Sequence, residues 1–125
     1  MANVAWPCCG SPRWQPRTKH WTSSKKLWDR SEIVRQTGQP GQPARYSPYV
    51  SRKEIEQFET RSEELTALPQ TRSNVYAFYG QFDVEVGASN GERTRFVYIE
   101  CTVDGSIHGR PITWDELVNY KGASP

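Results

Sequence analysis

The chain has 125 residues, 35% of them hydrophobic and 24% charged, which suffices for one compact domain but not for a core running its full length. No run of about 18 apolar residues occurs and no apolar stretch follows the first few residues, so neither a membrane-spanning helix nor a secretory signal peptide is expected. The net charge of +2 hides a division: residues 1–50 carry +6 and the remainder −4, the pattern of a basic arm that meets nucleic acid, a membrane surface or its own acidic body.

Residues 1–18 contain Pro7, Pro12 and Pro16 and few aliphatics, so neither a helix nor a central strand can persist there and a loosely ordered segment is expected. Cys8, Cys9 and Cys101 are an odd set with two members adjacent. That does not resemble a disulfide framework, and a reducing, cytoplasmic compartment is the default. Cys8 and Cys9 with His20 lack the spacer and the second pair of a zinc site, so no metal is expected. Trp6, Trp14, Trp21 and Trp28 recur among the basic groups, a mixture suited to stacking on bases or docking on an acidic protein surface. Left bare they would be adhesive, so some should dock on the body or on a partner. Residues 19–36 can form a helix with Leu27 and the tryptophans as a stripe. The Gly/Pro/Gln-rich residues 36–48 read as a linker. The division is therefore residues 1–46 as a basic, largely disordered arm and linker, and residues 47–125 as a small α+β domain.

Ser51 and Glu54 form an S-x-x-E capping box that starts a helix at Arg52. Ile55, Phe58, Leu65 and Leu68 give it an apolar face and Pro69 its end, while Lys53, Glu54, Glu56, Glu59, Arg61, Glu63 and Glu64 read as solvated. From residue 75 to 103 the period becomes two, and Asn90-Gly91 predicts a type I′ hairpin. Closing it pairs Ser89 with Glu92, Val84 with Val97, Phe82 with Ile99 and Gly80 with Cys101. Asp104-Gly105 turns the chain into a third strand over residues 106–108. Thr113 and Glu116 cap a last helix from Trp114 to about Tyr120, with Gly122 beyond its end. The fold expected is α+β: a helix packed on a three-stranded antiparallel meander, with a short C-terminal helix behind it and the basic arm in front.

Chemistry concentrates in GSIHGRPITWDE, residues 105–116, where a strand end meets a capped helix. His108 can act as general acid or base near neutral pH, and Arg110 can hold a phosphate by a bidentate pair. Strand parity decides between two settings. A two-residue turn puts His108 opposite Cys101 on the apolar face, and a one-residue bulge brings it beside Glu100 and Tyr98. Asp83, Glu85 and Glu100 are expected to share one hairpin face, where carboxylates either bind a hard cation such as magnesium or form a solvated surface.

The stretch VGASNGERTRFVYIECTVDGSIHGRPIT, residues 86–113, resembles the small C-terminal toxin domains of bacterial polymorphic and contact-dependent toxins, in which a G-x-I-H-G-x-P segment closes a sheet. SPYVSRKEIEQFE, residues 47–59, looks like the helix before that sheet, and the resemblance covers about residues 47–120. It implies a helix-plus-antiparallel-sheet fold similar to barnase-like ribonucleases, with RNA and a cognate inhibitor protein as partners. His108 matches the family-like histidine and Arg110 precedes its proline. The body holds no second histidine, since His20 lies in the arm. The resulting expectation is metal-independent RNA cleavage with no cofactor: His108 exchanges the proton, Arg110 and Arg95 stabilise the phosphorane-like charge and Glu100 is the second proton carrier. The competing expectation is a non-enzymatic interaction module that docks through its acidic sheet face or its Trp-rich arm.

Overall fold

Two capping boxes and two tight turns fix the local structure. The computed structural model describes residues 13–22, 28–61, 65–70 and 72–120; Trp6, Cys8, Cys9, Leu27, Glu63, Glu64 and Gly122 lie outside them. In chain order the elements are β1 (Arg13–Trp14), a single 3-10 turn (Thr18–His20), α1 (Arg30–Thr37), β2 (Arg45–Tyr46), α2 (Arg52–Thr60), β3 (Thr66–Ala67), β4 (Val75–Gln81), β5 (Gly87–Ser89), β6 (Glu92–Thr94), β7 (Phe96–Thr102), β8 (Ser106–Ile112) and α3 (Trp114–Tyr120). The class is α+β, but a five-stranded sheet ordered β1-β8-β7-β4-β3 and a three-stranded sheet ordered β2-β5-β6 replace the single three-stranded meander.

The Ser51 hydroxyl accepts the Glu54 amide at 3.1 Å and the Glu54 carboxylate accepts the Ser51 amide at 2.8 Å, which starts α2 where expected. The helix stops at Thr60, well before Pro69. Leu68 instead reaches a buried cluster with Tyr98, Ile112 and Leu117 from the chain beside β3. Glu59, expected in solvent, is 1% exposed. Thr113 caps α3 in the same reciprocal way with Glu116, and Leu117 is fully buried on its inner side.

Asn90 and Gly91 take the positive φ of a type I′ turn, 53° and 80°, and the expected register holds for Ser89 with Glu92, Ala88 with Arg93 and Gly87 with Thr94. Beyond that the hairpin divides. β4 pairs with β7 four residues out of the expected register, Gly80 opposite Val97 and Phe78 opposite Ile99, and residues 82–86 form a connection. The cause is β2, which inserts beside β5: at Gly87 a Cβ would lie 2.2 Å from the Arg45 carbonyl oxygen. A shift of four preserves side-chain parity, so Val97, Ile99 and Cys101 still face the core with Ile55, Phe58 and Tyr46.

The β7–β8 connection has three residues, Val103, Asp104 and Gly105, with Gly105 at φ 93° and its amide bonded to the Thr102 carbonyl at 2.9 Å. This is the three-residue hairpin with a left-handed glycine. It pairs Cys101 with Ile107 and Glu100 with His108. β8 runs on through Pro111 to Ile112 rather than stopping at His108.

The described part of the N-terminal region is docked on this body. β1 adds parallel to the start of β8. The Trp14 indole N–H donates to Glu59 at 2.8 Å, Trp14 and Trp21 stack at 6.4 Å, and the Arg52 guanidinium lies over both rings. In place of a helix over residues 19–36 there are the 3-10 turn and α1, which starts from Asp29 as cap. Trp28 is buried against Ile33 and Ala88. The residues read as a linker lead into Tyr46, which is fully buried. Cys101 is disulfide-bonded, a correction to the reduced thiols expected from the odd cysteine count. Among the described residues no helix is long and apolar enough to cross a membrane.

Candidate active site

The parity of β8 brings the chemistry together. In an antiparallel pair, directly opposed side chains meet on the same face, and here His108 opposes Glu100 while Arg110 opposes Tyr98. These four side chains form one wall of an open cleft of about 830 Å³. Arg17, Lys19 and His20 of the N-terminal region form another, residues 41–44 a third, and Glu116 at the start of α3 contributes to the rim.

Glu100 is the centre of the first wall. Its carboxylate accepts from the Tyr98 hydroxyl at 2.8 Å and from the Arg72 guanidinium at 2.6 Å, and lies 3.4 Å from His108 Nε2. The hydrogen bond from His108, with those from Tyr98 and the charge of Arg72, lowers its pKa to about 2 against the opposing effect of burial. Glu100 is therefore an anion near neutral pH and a poor proton carrier, unlike the role expected for it, and its carboxylate stands beside the imidazole. Tyr98 is held firmly protonated, by burial first and then by the carboxylate it donates to. The Arg110 guanidinium stacks over the Tyr98 ring at 5.0 Å and donates to the Tyr120 hydroxyl at 3.1 Å. An Arg held by ring contacts keeps donors for a ligand.

His108 stands on the Glu100 side, with 18% of its side chain exposed. Its Nδ1 is buried and has no hydrogen-bond partner. Behind the strand, Glu59 accepts from the Tyr46 hydroxyl at 2.5 Å, from Trp14 and from the Gly109 amide. Burial raises its pKa despite these bonds. Glu59 thereby fixes the residue next to His108 and the start of the N-terminal wall at once.

Of the four residues expected to act together, Glu100, His108 and Arg110 line the cleft and Arg95 does not. Arg95 falls at the break between β6 and β7, outside both strands, and is exposed. There it donates to the Asp83 carbonyl at 2.7 Å and borders a separate groove with Phe96 and Trp114. The shared carboxylate face does not form either. Asp83 and Glu85 leave the sheet with the register shift, Glu85 pairs with Arg93 at 2.9 Å, and no group of three potential metal ligands is assembled among the described residues.

His20 is the site residue that the sequence does not announce. It lies 88 positions before His108 in a segment without a recognisable motif, and only docking of β1 on β8 brings it to the cleft. Its Nδ1 is 2.7 Å from the Ala44 carbonyl oxygen. A carbonyl only accepts, so Nδ1 carries the hydrogen and Nε2 bears the lone pair. Burial is the main cause that lowers its pKa to about 4; the charges of Lys19 and Arg110 act in the same direction.

Comparison with known proteins adds nothing to this geometry. No family model, curated protein or solved structure matches the chain.

Proposed function

We propose that the chain is a small toxin-like nuclease domain that cleaves RNA phosphodiester bonds without a metal. The observation that carries the reading is the Glu100–His108 pair at 3.4 Å beside Arg110 in an open cleft that Arg17 and Lys19 also line. Cleavage of RNA needs the 2′-oxygen to attack phosphorus, forming a cyclic phosphate while the bond from phosphorus to the 5′-oxygen breaks. It therefore needs a proton removed at one oxygen, a proton supplied at the other, and cations where charge accumulates on the phosphoryl oxygens. His108 exchanges a proton in this scheme, Glu100 holds its ring, and Arg110 with Arg17 and Lys19 contacts the phosphate. Arg95 has no part in it.

The competing docking module draws less support. Its acidic face is divided, with Glu100 engaged in the cleft and Glu85 paired with Arg93. The deciding experiment incubates the purified chain with total RNA in the presence of a chelator, beside His108→Ala. Fragments ending in 2′,3′-cyclic phosphate with the parent chain, and a loss of about 100-fold or more in the variant, are expected. Intact RNA in both samples removes the reading.

A further inference from the structure

We propose that His20, from the N-terminal segment, is the base that removes the 2′-hydroxyl proton, so that the cleft works with two histidines drawn from opposite ends of the chain. The inference rests on the cleavage reading above and assigns its missing proton acceptor. His20 is 6% exposed yet lines the same cleft as His108 and Arg110. The bond from Nδ1 to the Ala44 carbonyl orients the ring and fixes the tautomer, leaving Nε2 without a partner and not sealed from solvent. The two imidazoles sit in opposite electrostatic settings. Lys19 and Arg17 from its own segment and Arg110 and His108 from β8 surround His20 with positive charge, while Glu100 and Glu116 face the cleft from β7 and α3. His108 faces the Glu100 anion. Two imidazoles in one cleft, one among cations and one beside a carboxylate, can divide the base and acid roles between them.

The proton balance follows. The 2′-hydroxyl proton passes to His20 Nε2 as the 2′-oxygen bonds to phosphorus. His108, entering the step as the imidazolium, gives its Nε2 proton to the 5′-oxygen as that bond to phosphorus breaks. His20 ends protonated and His108 neutral, and exchange with water restores both. The hydrogen bond from His108 Nε2 to Glu100 is long, at 3.4 Å, and a long bond is readily exchanged for one to an incoming oxygen.

The test uses the whole chain in three measurements. In the first, His20→Gln lowers the turnover of an RNA oligonucleotide by about 100-fold or more. Its affinity for the uncleavable 2′-O-methyl analogue stays within about twofold, because only proton transfer is lost. A folded variant that keeps turnover within about tenfold of the parent, or changes KM alone, overturns the assignment. The second covers the case in which the variant does not fold: the acid limb of the parent's pH–rate profile. A base must be unprotonated, so activity persists as the pH falls and is lost only towards about 4; a limb near the ordinary histidine value overturns the proposal. In the third, the 2′-O-methyl oligonucleotide shifts the His20 ring NMR signals, and an unmoved signal at saturation overturns it. Parent chain that leaves RNA intact sinks the cleavage reading itself, whereas parent chain that cleaves beside an equally active His20→Gln sinks only the role of His20.

Discussion

Glu59 shows how far a single side chain can depart from its pattern. On a helical projection it lies one turn after Ile55, at the edge of the apolar face, but its charge argues for solvent. It is buried because Trp14, 45 positions earlier, and Tyr46, 13 positions earlier, bring donors to it. Replacing it with alanine leaves the Trp14 indole, the Tyr46 hydroxyl and the Gly109 amide without an acceptor and opens a cavity, so Glu59→Ala should cost about 3 kcal/mol or more. Glu59→Gln keeps the shape but offers one acceptor oxygen and turns an amide N–H2 towards a donor, at about 1–2 kcal/mol. Urea unfolding monitored by tryptophan fluorescence should rank the parent above the glutamine variant and that above the alanine variant. An alanine variant as stable as the parent would show that the carboxylate does not anchor the N-terminal wall. His20 is the parallel case in the cleft: its type and charge are legible in the sequence, but its neighbours are not.

At the scale of elements, what could be read and what could not separates by range. The Ser51–Glu54 and Thr113–Glu116 caps and the Asn90-Gly91 turn depend on hydrogen bonds and backbone angles within four residues, and each forms where the residue types demand it. The register beyond Ser89–Glu92 depends on β2, 41 positions before β5, and alternation alone extends one hairpin where the chain builds two sheets. The end of α2 is set by what Leu65 and Leu68 meet, which spacing does not reveal. The parity of β8 lies between these cases, because either loop length fits Asp104-Gly105; Gly105 takes φ 93° but Asp104 does not take the positive φ of a type I′ turn, and the loop closes over three residues. Gly105→Ala forces a side chain into the left-handed region, which should cost about 1–2 kcal/mol and lower the midpoint of thermal unfolding by roughly 5–10 °C for a domain of this size. A variant that melts with the parent would mean that the connection does not need this geometry. The stakes are functional, since a one-residue slip there would bury His108 against the Cys101 face.

For the whole molecule, the charge asymmetry raised the choice between a free basic arm and one folded on its own body. The described N-terminal residues fold back, and aromatic contacts dominate their docking: Trp14 on Glu59, Trp14 and Trp21 under Arg52, and Trp28 against Ile33 and Ala88. Two of their basic side chains, Arg17 and Lys19, then line the cleft together with Arg110. A chain cut to residues 47–125 tests this arrangement. It keeps both capped helices and the β4-β7-β8 core, but loses Tyr46, which is fully buried, and Ile33, which is 1% exposed. It also loses β2, the partner of β5, and β1, the partner of β8. Burial of each large side chain contributes about 1.5–3 kcal/mol, and small domains hold only about 5–15 kcal/mol in total. The truncated chain should therefore lose a cooperative thermal transition and expose apolar surface to a fluorescent dye, whereas the full chain unfolds in one step. If residues 47–125 instead unfold cooperatively at the same temperature as the full chain, the N-terminal wall is a separable attachment, and a cleft that depends on it would have to assemble from two independently stable parts.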